Sequence, residues 1–131
     1  MYTSWCGWCK VMDSATFTSP EVVDYFNKNF YAVKFNTERQ DSIRFVGKMW
    51  GFMPEYKAHM LAVQLMRGQM SYPTSVILDE QYQNPIASPG FLNVASMERF
   101  LKFVNEGHYK TTPYDTFNKR FPPVWKPGPR G

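Results

Sequence analysis

Several common signatures are missing from this sequence. No apolar run in its 131 residues approaches the roughly 18–20 residues of a membrane-spanning helix. No basic leader with an apolar segment behind it opens the chain, so the chain as it stands carries no export signal. A Gly-rich phosphate loop is lacking, which removes the usual route to a bound nucleotide. Charge of one sign is not concentrated anywhere. The 15 basic and 11 acidic residues leave a formal +4, scattered rather than gathered in a stripe, and nucleic-acid binding is not indicated. Cysteine is scarce: there are two, both within the first ten residues. That excludes a disulfide scaffold and leaves room for a paired redox site. What is present suits one folded domain, with 44% hydrophobic and 20% charged residues.

The chain opens on Tyr2-Thr3-Ser4-Trp5-Cys6-Gly7-Trp8-Cys9-Lys10. A C-x-x-C motif serves either as half of a zinc site or as a thiol pair that cycles to a disulfide. Structural zinc takes four protein ligands and catalytic zinc three. The only histidines, His59 and His108, are far apart in sequence, so zinc is the weaker reading and no metal or organic cofactor is expected. A helix beginning at Cys6 would place Cys6 and Cys9 on one side, within a small adjustment of disulfide geometry. It would also place a cysteine among unpaired N–H groups at the positive end of the helix dipole. A thiol with pKa about 8.5 is only about 3% ionised at pH 7, whereas a pKa of about 7 makes it half ionised. Cys6 is thus expected to be an accessible nucleophile and Cys9 the resolving thiol. The alternative is a pair that merely packs or stays oxidised.

The W-C-G-W-C-K motif resembles the active site of the thioredoxin-like superfamily, especially its thioredoxin-related thiol–disulfide oxidoreductases. Ser19-Pro20-Glu21-Val22-Val23 and Ser71-Tyr72-Pro73-Thr74 resemble the same group, and the likeness runs from Tyr2 to about Gly107. The resemblance implies an attacking Cys6 and a resolving Cys9, with Trp5 as the flanking indole. It makes Gly7 and Trp8 the tuning dipeptide and Pro73 a cis-proline facing the disulfide. Composition alone would make Tyr72-Pro73 trans, since only about 5–6% of X–Pro bonds are cis. A cis bond would leave the Tyr72 backbone free to pair with an extended client, with no role for its hydroxyl. Many relatives have proline where Trp8 stands, so their redox potentials do not transfer.

The implied fold is an α/β, thioredoxin-like three-layer sandwich, and the periodicity agrees. A helix is predicted from Cys9 to about Phe17, and a second after Ser19 with Pro20 at its first position. Aromatic and branched residues Phe30 to Phe35 read as a strand. Asp41 or Ser42 is expected to cap a helix running to about Trp50. Thr74 to Leu78 and Ile86 to Ser88 read as a hairpin, and Asn93 as the cap of a helix ended by Gly107. The predicted domain is 1–107, with an insertion at about 50–70. A Pro-rich tail follows over 108–131, where Thr112-Pro113 starts a short helix and Phe117, Phe121 and Trp125 dock. From Pro122 onward the tail reads as extended or disordered.

Two departures from the family pattern stand out. Only Met1 to Ser4 precede Trp5, so most of the strand leading into C-x-x-C is expected to be lacking, together with the buried acid that relatives carry there. The expectation is a truncated chain of low stability, or else a short or distorted strand that suffices, or a strand supplied by another chain. The second departure is the insertion, read as a helix started by Pro54 and apolar on two flanks. Met49, Met53, Met60, Met66 and Met70 lie in or beside it. They read first as core filling, next as an adaptable client-binding lip, and last as thioether ligands for copper.

The sequence therefore reads as a monomeric oxidoreductase that exchanges disulfides with protein or peptide substrates, fed by an upstream redox partner protein. The alternative is a redox-silent binding module of the same fold. Trp5 and Trp8 are expected to form an exposed apolar rim for clients rather than core. Lys10 is expected to be solvated, and His59 packed rather than catalytic. Location would be periplasmic or exported if a leader lies upstream of Met1, and cytoplasmic otherwise.

Overall fold

The computed structural model describes residues 1–126. Helices and small antiparallel sheets alternate along the chain, a mixed α/β fold. The chain divides into two compact units, one of residues 1–9 and 34–91, the other of residues 10–33 and 92 onward.

The first unit is built on a short extended stretch. Met1–Thr3 runs with hydrogen bonds on both sides. Tyr2 N–H donates to Phe35 O at 2.9 Å and Tyr2 O accepts from Thr37 N–H at 2.9 Å, forming a parallel bridge between Tyr2 and Asn36. On the other side the Met1 amine donates to Thr74 O at 2.9 Å, and Thr74 N–H to Met1 O at 3.3 Å. The stretch before the cysteines is therefore flanked on both sides. The strand expected at Phe30–Phe35 does not form. A strand needs a neighbour for its ladder, and the pairing reaches only Phe35–Thr37. Tyr31 and Val33 stand 102% and 79% exposed.

Two further expectations are overturned in the same unit. Asp41 does not cap a helix, because both carboxylate oxygens accept from the Arg39 guanidinium at 2.7 Å. A hairpin follows instead, β1 (Ile43–Phe45) with β2 (Lys48–Trp50), turning on Val46 and Gly47 at φ +49° and +74°. Two residues of positive φ suit the right-handed strand twist, and Gly47 adopts that region without cost. The helix expected from Pro54 starts later and is shorter. β3 (Phe52–Met53) pairs with β4 (Ala58–His59) across a turn, and only α3 (Met60–Leu65) is helical. His59 starts α3, its Nδ1 accepting from Leu61 N–H at 3.2 Å. That leaves Nε2–H to donate to Asp41 O at 2.9 Å. The insertion is thus one hairpin and a short helix. Its methionines are dispersed: Met66 is buried, Met49 exposed, and Met53, Met60 and Met70 half-buried. β5 (Thr74–Ile77) and β6 (Ile86–Pro89) form the expected hairpin. Among the described residues no sheet exceeds two strands.

The second unit is helical. α1 (Gly7–Ala15) enters it from the first unit, with Cys9, Met12 and Ala15 buried at three-residue spacing. α2 (Pro20–Asn29) has Pro20 at its first turn, as expected, and buries Val22 against α4 (Val94–Asn105). Asn93 caps α4 by accepting from Ser96 N–H at 2.8 Å, and Gly107 at φ +78° follows its end. Val94, Met97, Phe100 and Leu101 form the buried stripe. α5 (Tyr114–Arg120) returns along α4 and inserts Phe117 against Phe103 and His108. Pro122–Lys126 has no regular structure, yet it is held. The buried Glu98 carboxylate accepts from Val124 and Trp125 N–H, both at 2.8 Å, and Trp125 packs edge-on to Tyr25. The rest of the predicted extended tail, residues 127–131, lies outside the described residues.

Candidate active site

Cys6 and Cys9 are joined in a disulfide with Cα atoms 5.3 Å apart. Cys6 immediately precedes α1, so its sulfur sits at the helix N-terminus, where backbone donors lack helical partners. Cys9 N–H fills that role directly and donates to Cys6 Sγ at 3.1 Å. The polypeptide enters this turn through Thr3, whose carbonyl accepts from Cys6 N–H at 3.4 Å. The Thr3 hydroxyl is buried without a partner among the described residues.

Accessibility differs from the expectation. Cys6 and Cys9 are 5% and 6% exposed, whereas Trp5 and Trp8 are 65% and 61% exposed. The reason is local: the first turn of α1 folds both sulfurs inward, and the bulk of the flanking indoles stands outside them. Gly7, between the cysteines and exposed, has open space where a Cβ would lie.

The two indoles sit in different surroundings. Trp8 packs on Phe91 with ring centroids 5.5 Å apart. Trp5 meets the edge of Tyr72 at 5.8 Å, and its indole N–H donates to Glu38 Oε1 at 2.9 Å. The Thr37 hydroxyl in turn donates to Tyr72 Oη at 2.8 Å. Thr37 and Glu38 are neighbours in the chain, so Trp5, Glu38, Thr37 and Tyr72 close a ring. The Tyr72 hydroxyl is thus engaged within the protein. The Tyr72–Pro73 bond is cis, Pro73 is buried, and its carbonyl accepts from Gly90 N–H at 2.7 Å. Sequence reasoning missed Thr37, Glu38 and Phe91. No motif flags them, because chain pairing beside Tyr2 and the hairpin end after β6 bring them there.

Charge around the site is arranged by the same segments. Arg39 is engaged by Asp41 and lies over the Phe35 ring at 5.4 Å, and the Arg39 guanidinium holds the Asp41 carboxyl below its usual range. Lys34 Nζ lies 4.8 Å over the Tyr2 ring. Burial, with Lys34 adding repulsion, lowers the Met1 amine to about 6. Among the described residues no three His, Cys, Asp or Glu side chains gather as metal ligands. Both His59 nitrogens are engaged within the protein. No described helix is long and apolar enough to cross a membrane.

An α/β chain with a two-residue-spaced cysteine pair at a helix start defines a class: proteins with a potential dithiol–disulfide centre. The particular family follows from comparison. The family model Thioredox_DsbH, described as "Protein of unknown function, DUF255", matches residues 1–111, and the chain belongs to this thioredoxin-related family. No curated protein and no solved structure matches it.

Proposed function

We propose that the protein is a thiol–disulfide oxidoreductase of thioredoxin-like fold, acting on protein or peptide disulfides through Cys6 and Cys9. The observation that carries this reading is the Cys9 N–H bond to Cys6 Sγ in a pair already close enough to bridge. In the reduced protein, Cys6 thiolate attacks one sulfur of a client disulfide and expels the other client sulfur as a thiolate. Cys9, deprotonated to solvent, then attacks Cys6 Sγ. The mixed disulfide breaks, the second client thiolate leaves, and the Cys6–Cys9 disulfide remains. Two electrons have passed to the client, and an upstream dithiol partner must return them. Trp5, Gly7 and Trp8 form the client-facing rim, and Tyr72 and Pro73 supply the backbone beside which an extended client lies. The protein acts as a monomer.

The low exposure of both cysteines favours a second reading, a redox-silent binding module of the same fold. Insulin-disulfide reduction with dithiothreitol separates the two. The proposed oxidoreductase accelerates precipitation and Cys6→Ser abolishes the acceleration, whereas the silent module and Cys6→Ser behave alike.

A further inference from the structure

We infer that Glu38 selects clients carrying a lysine or arginine next to the disulfide they present. The inference rests on the proposed exchange reaction and names its substrate class.

The argument starts from the asymmetry of the rim. On one side of the motif Trp8, next to Cys9, packs on Phe91, which is apolar. On the other Trp5, next to Cys6, is bonded through its indole N–H to the Glu38 carboxylate. Only Oε1 is used by Trp5, so Oε2 keeps its acceptor capacity toward a client. The nearest basic residue in sequence, Arg39, is already committed to Asp41 by two 2.7 Å bonds. Among the described residues Glu38 takes part in no ion pair. Its bond to the indole lies at the exposed surface, so an ion pair formed there is open to solvent and sensitive to salt.

Preorganisation strengthens the case. The backbone N–H of Glu38 donates to the Asn36 side chain at 3.0 Å, and the neighbouring Thr37 is tied to Tyr72. The carboxylate therefore keeps a fixed place beside the residue that precedes Cys6. An extended client lying across the pair would meet a negative group at one end and an aromatic surface at the other. It follows that the favoured client has a cationic residue on the Trp5 side of its cysteine and an apolar one on the Trp8 side. The overall charge of +4 works in the opposite direction and would by itself favour acidic clients. A preference for basic clients is consequently a local signature.

The test uses the full chain and two disulfide-linked peptides that differ only in an Arg or a Glu beside the cysteine. Exchange rates are measured at low and high salt. Anisotropy of labelled Cys→Ser versions of the same peptides reads binding without thiol chemistry. Wild type should favour the Arg peptide by about tenfold at low salt, the gap narrowing as salt rises. Glu38→Gln keeps an acceptor for Trp5 and removes the charge, so the ratio should fall to about one or below. A matching melting temperature confirms that Glu38→Gln folds. Equal rates and equal binding of the two peptides by wild type overturn the inference, and so does a preference that survives Glu38→Gln. Charge-selective binding without any exchange supports the role of Glu38 and rejects the oxidoreductase reading instead.

Discussion

Replacing Glu98 by alanine tests how the C-terminal segment is held to α4. The carboxylate is fully buried and accepts three bonds, from Lys102 Nζ, Val124 N–H and Trp125 N–H, each at 2.8 Å. Two limits bracket the cost of removing it. If Pro122–Lys126 stays in place, two backbone donors lose their acceptor at about 1–3 kcal/mol each. Lys102 then loses its counter-charge, although its side chain is near enough to solvent to turn outward. If the segment detaches, the donors find water. The loss is then the two backbone bonds to a charged acceptor at a net of about 1.5–3 kcal/mol each, Lys102 turning to water, together with the Tyr25–Trp125 and Lys102–Trp125 contacts. Both limits lie near 3–5 kcal/mol, the usual cost of breaking a buried pair by removing one partner. Glu98→Gln keeps one oxygen for the backbone donors but sets an amide against Lys102, so about half that loss is expected. Urea denaturation measures the totals, and hydrogen exchange at Val124 and Trp125 shows whether the segment has come free. A Glu98→Ala protein within 0.5 kcal/mol of wild type, a difference the usual surface substitution produces, would falsify this account of the tail.

Two other perturbations follow from the geometry. Val46 is exposed, β-branched and held at φ +49° in a two-residue turn, a conformation that costs such a residue about 1–2 kcal/mol and that asparagine tolerates. Val46→Asn should raise stability by about 1 kcal/mol and lift the melting temperature by a few degrees; an unchanged or lower melt refutes the turn assignment. With Met1 as first residue, its amine ionises at about 6 in the folded protein against 8.0 for a free one. The unfolded chain therefore binds the extra proton between these values. The contribution of this amine is fully present above about pH 8, is lost as pH falls to about 6 and then levels, a span of about 3 kcal/mol. Melts from pH 5.5 to 8.5 should show this slope for the free amine and lose it on acetylation. Parallel slopes for the two forms would assign the dependence to other groups.

Much of the helical unit was legible because its signals are local. Asn93, the Val94–Met97–Phe100–Leu101 stripe and Gly107 mark α4 without reference to anything distant, and Ser19-Pro20 mark the start of α2. The 41–59 region was misread for a physical reason. Asp41 has the chemistry of a cap, but Arg39 lies two residues away and takes both its oxygens. Ile43, Phe45, Trp50 and Phe52 carried strand propensity, while the turn between them uses a valine, which no turn rule recommends. α3 begins at His59, which accepts Leu61 N–H by a ring nitrogen rather than an ordinary capping oxygen. Phe30–Phe35 shows the opposite failure. Its residues favour a strand, yet propensity cannot supply a neighbour, and exposed Tyr31 and Val33 mark where pairing stops.

The site divides along the same line. Cys6, Cys9, Trp5 and Trp8 are contiguous, and their relation is fixed by one helix turn, so sequence could pair them. Their burial depends on packing and could not be read. The one bond that matters most to the proposed chemistry lies on the legible side. Shifting a thiol from pKa about 8.5 to about 7 needs roughly 2 kcal/mol of preferential stabilisation of the thiolate. A hydrogen bond to a charged acceptor contributes about 1.5–3 kcal/mol. The Cys9 N–H bond to Cys6 Sγ, if kept on reduction, is of the size that the proposed chemistry needs. The donor belongs to Cys9 and the sulfur that receives it to Cys6, which is the asymmetry that the proposed order of attack, Cys6 first and Cys9 second, requires.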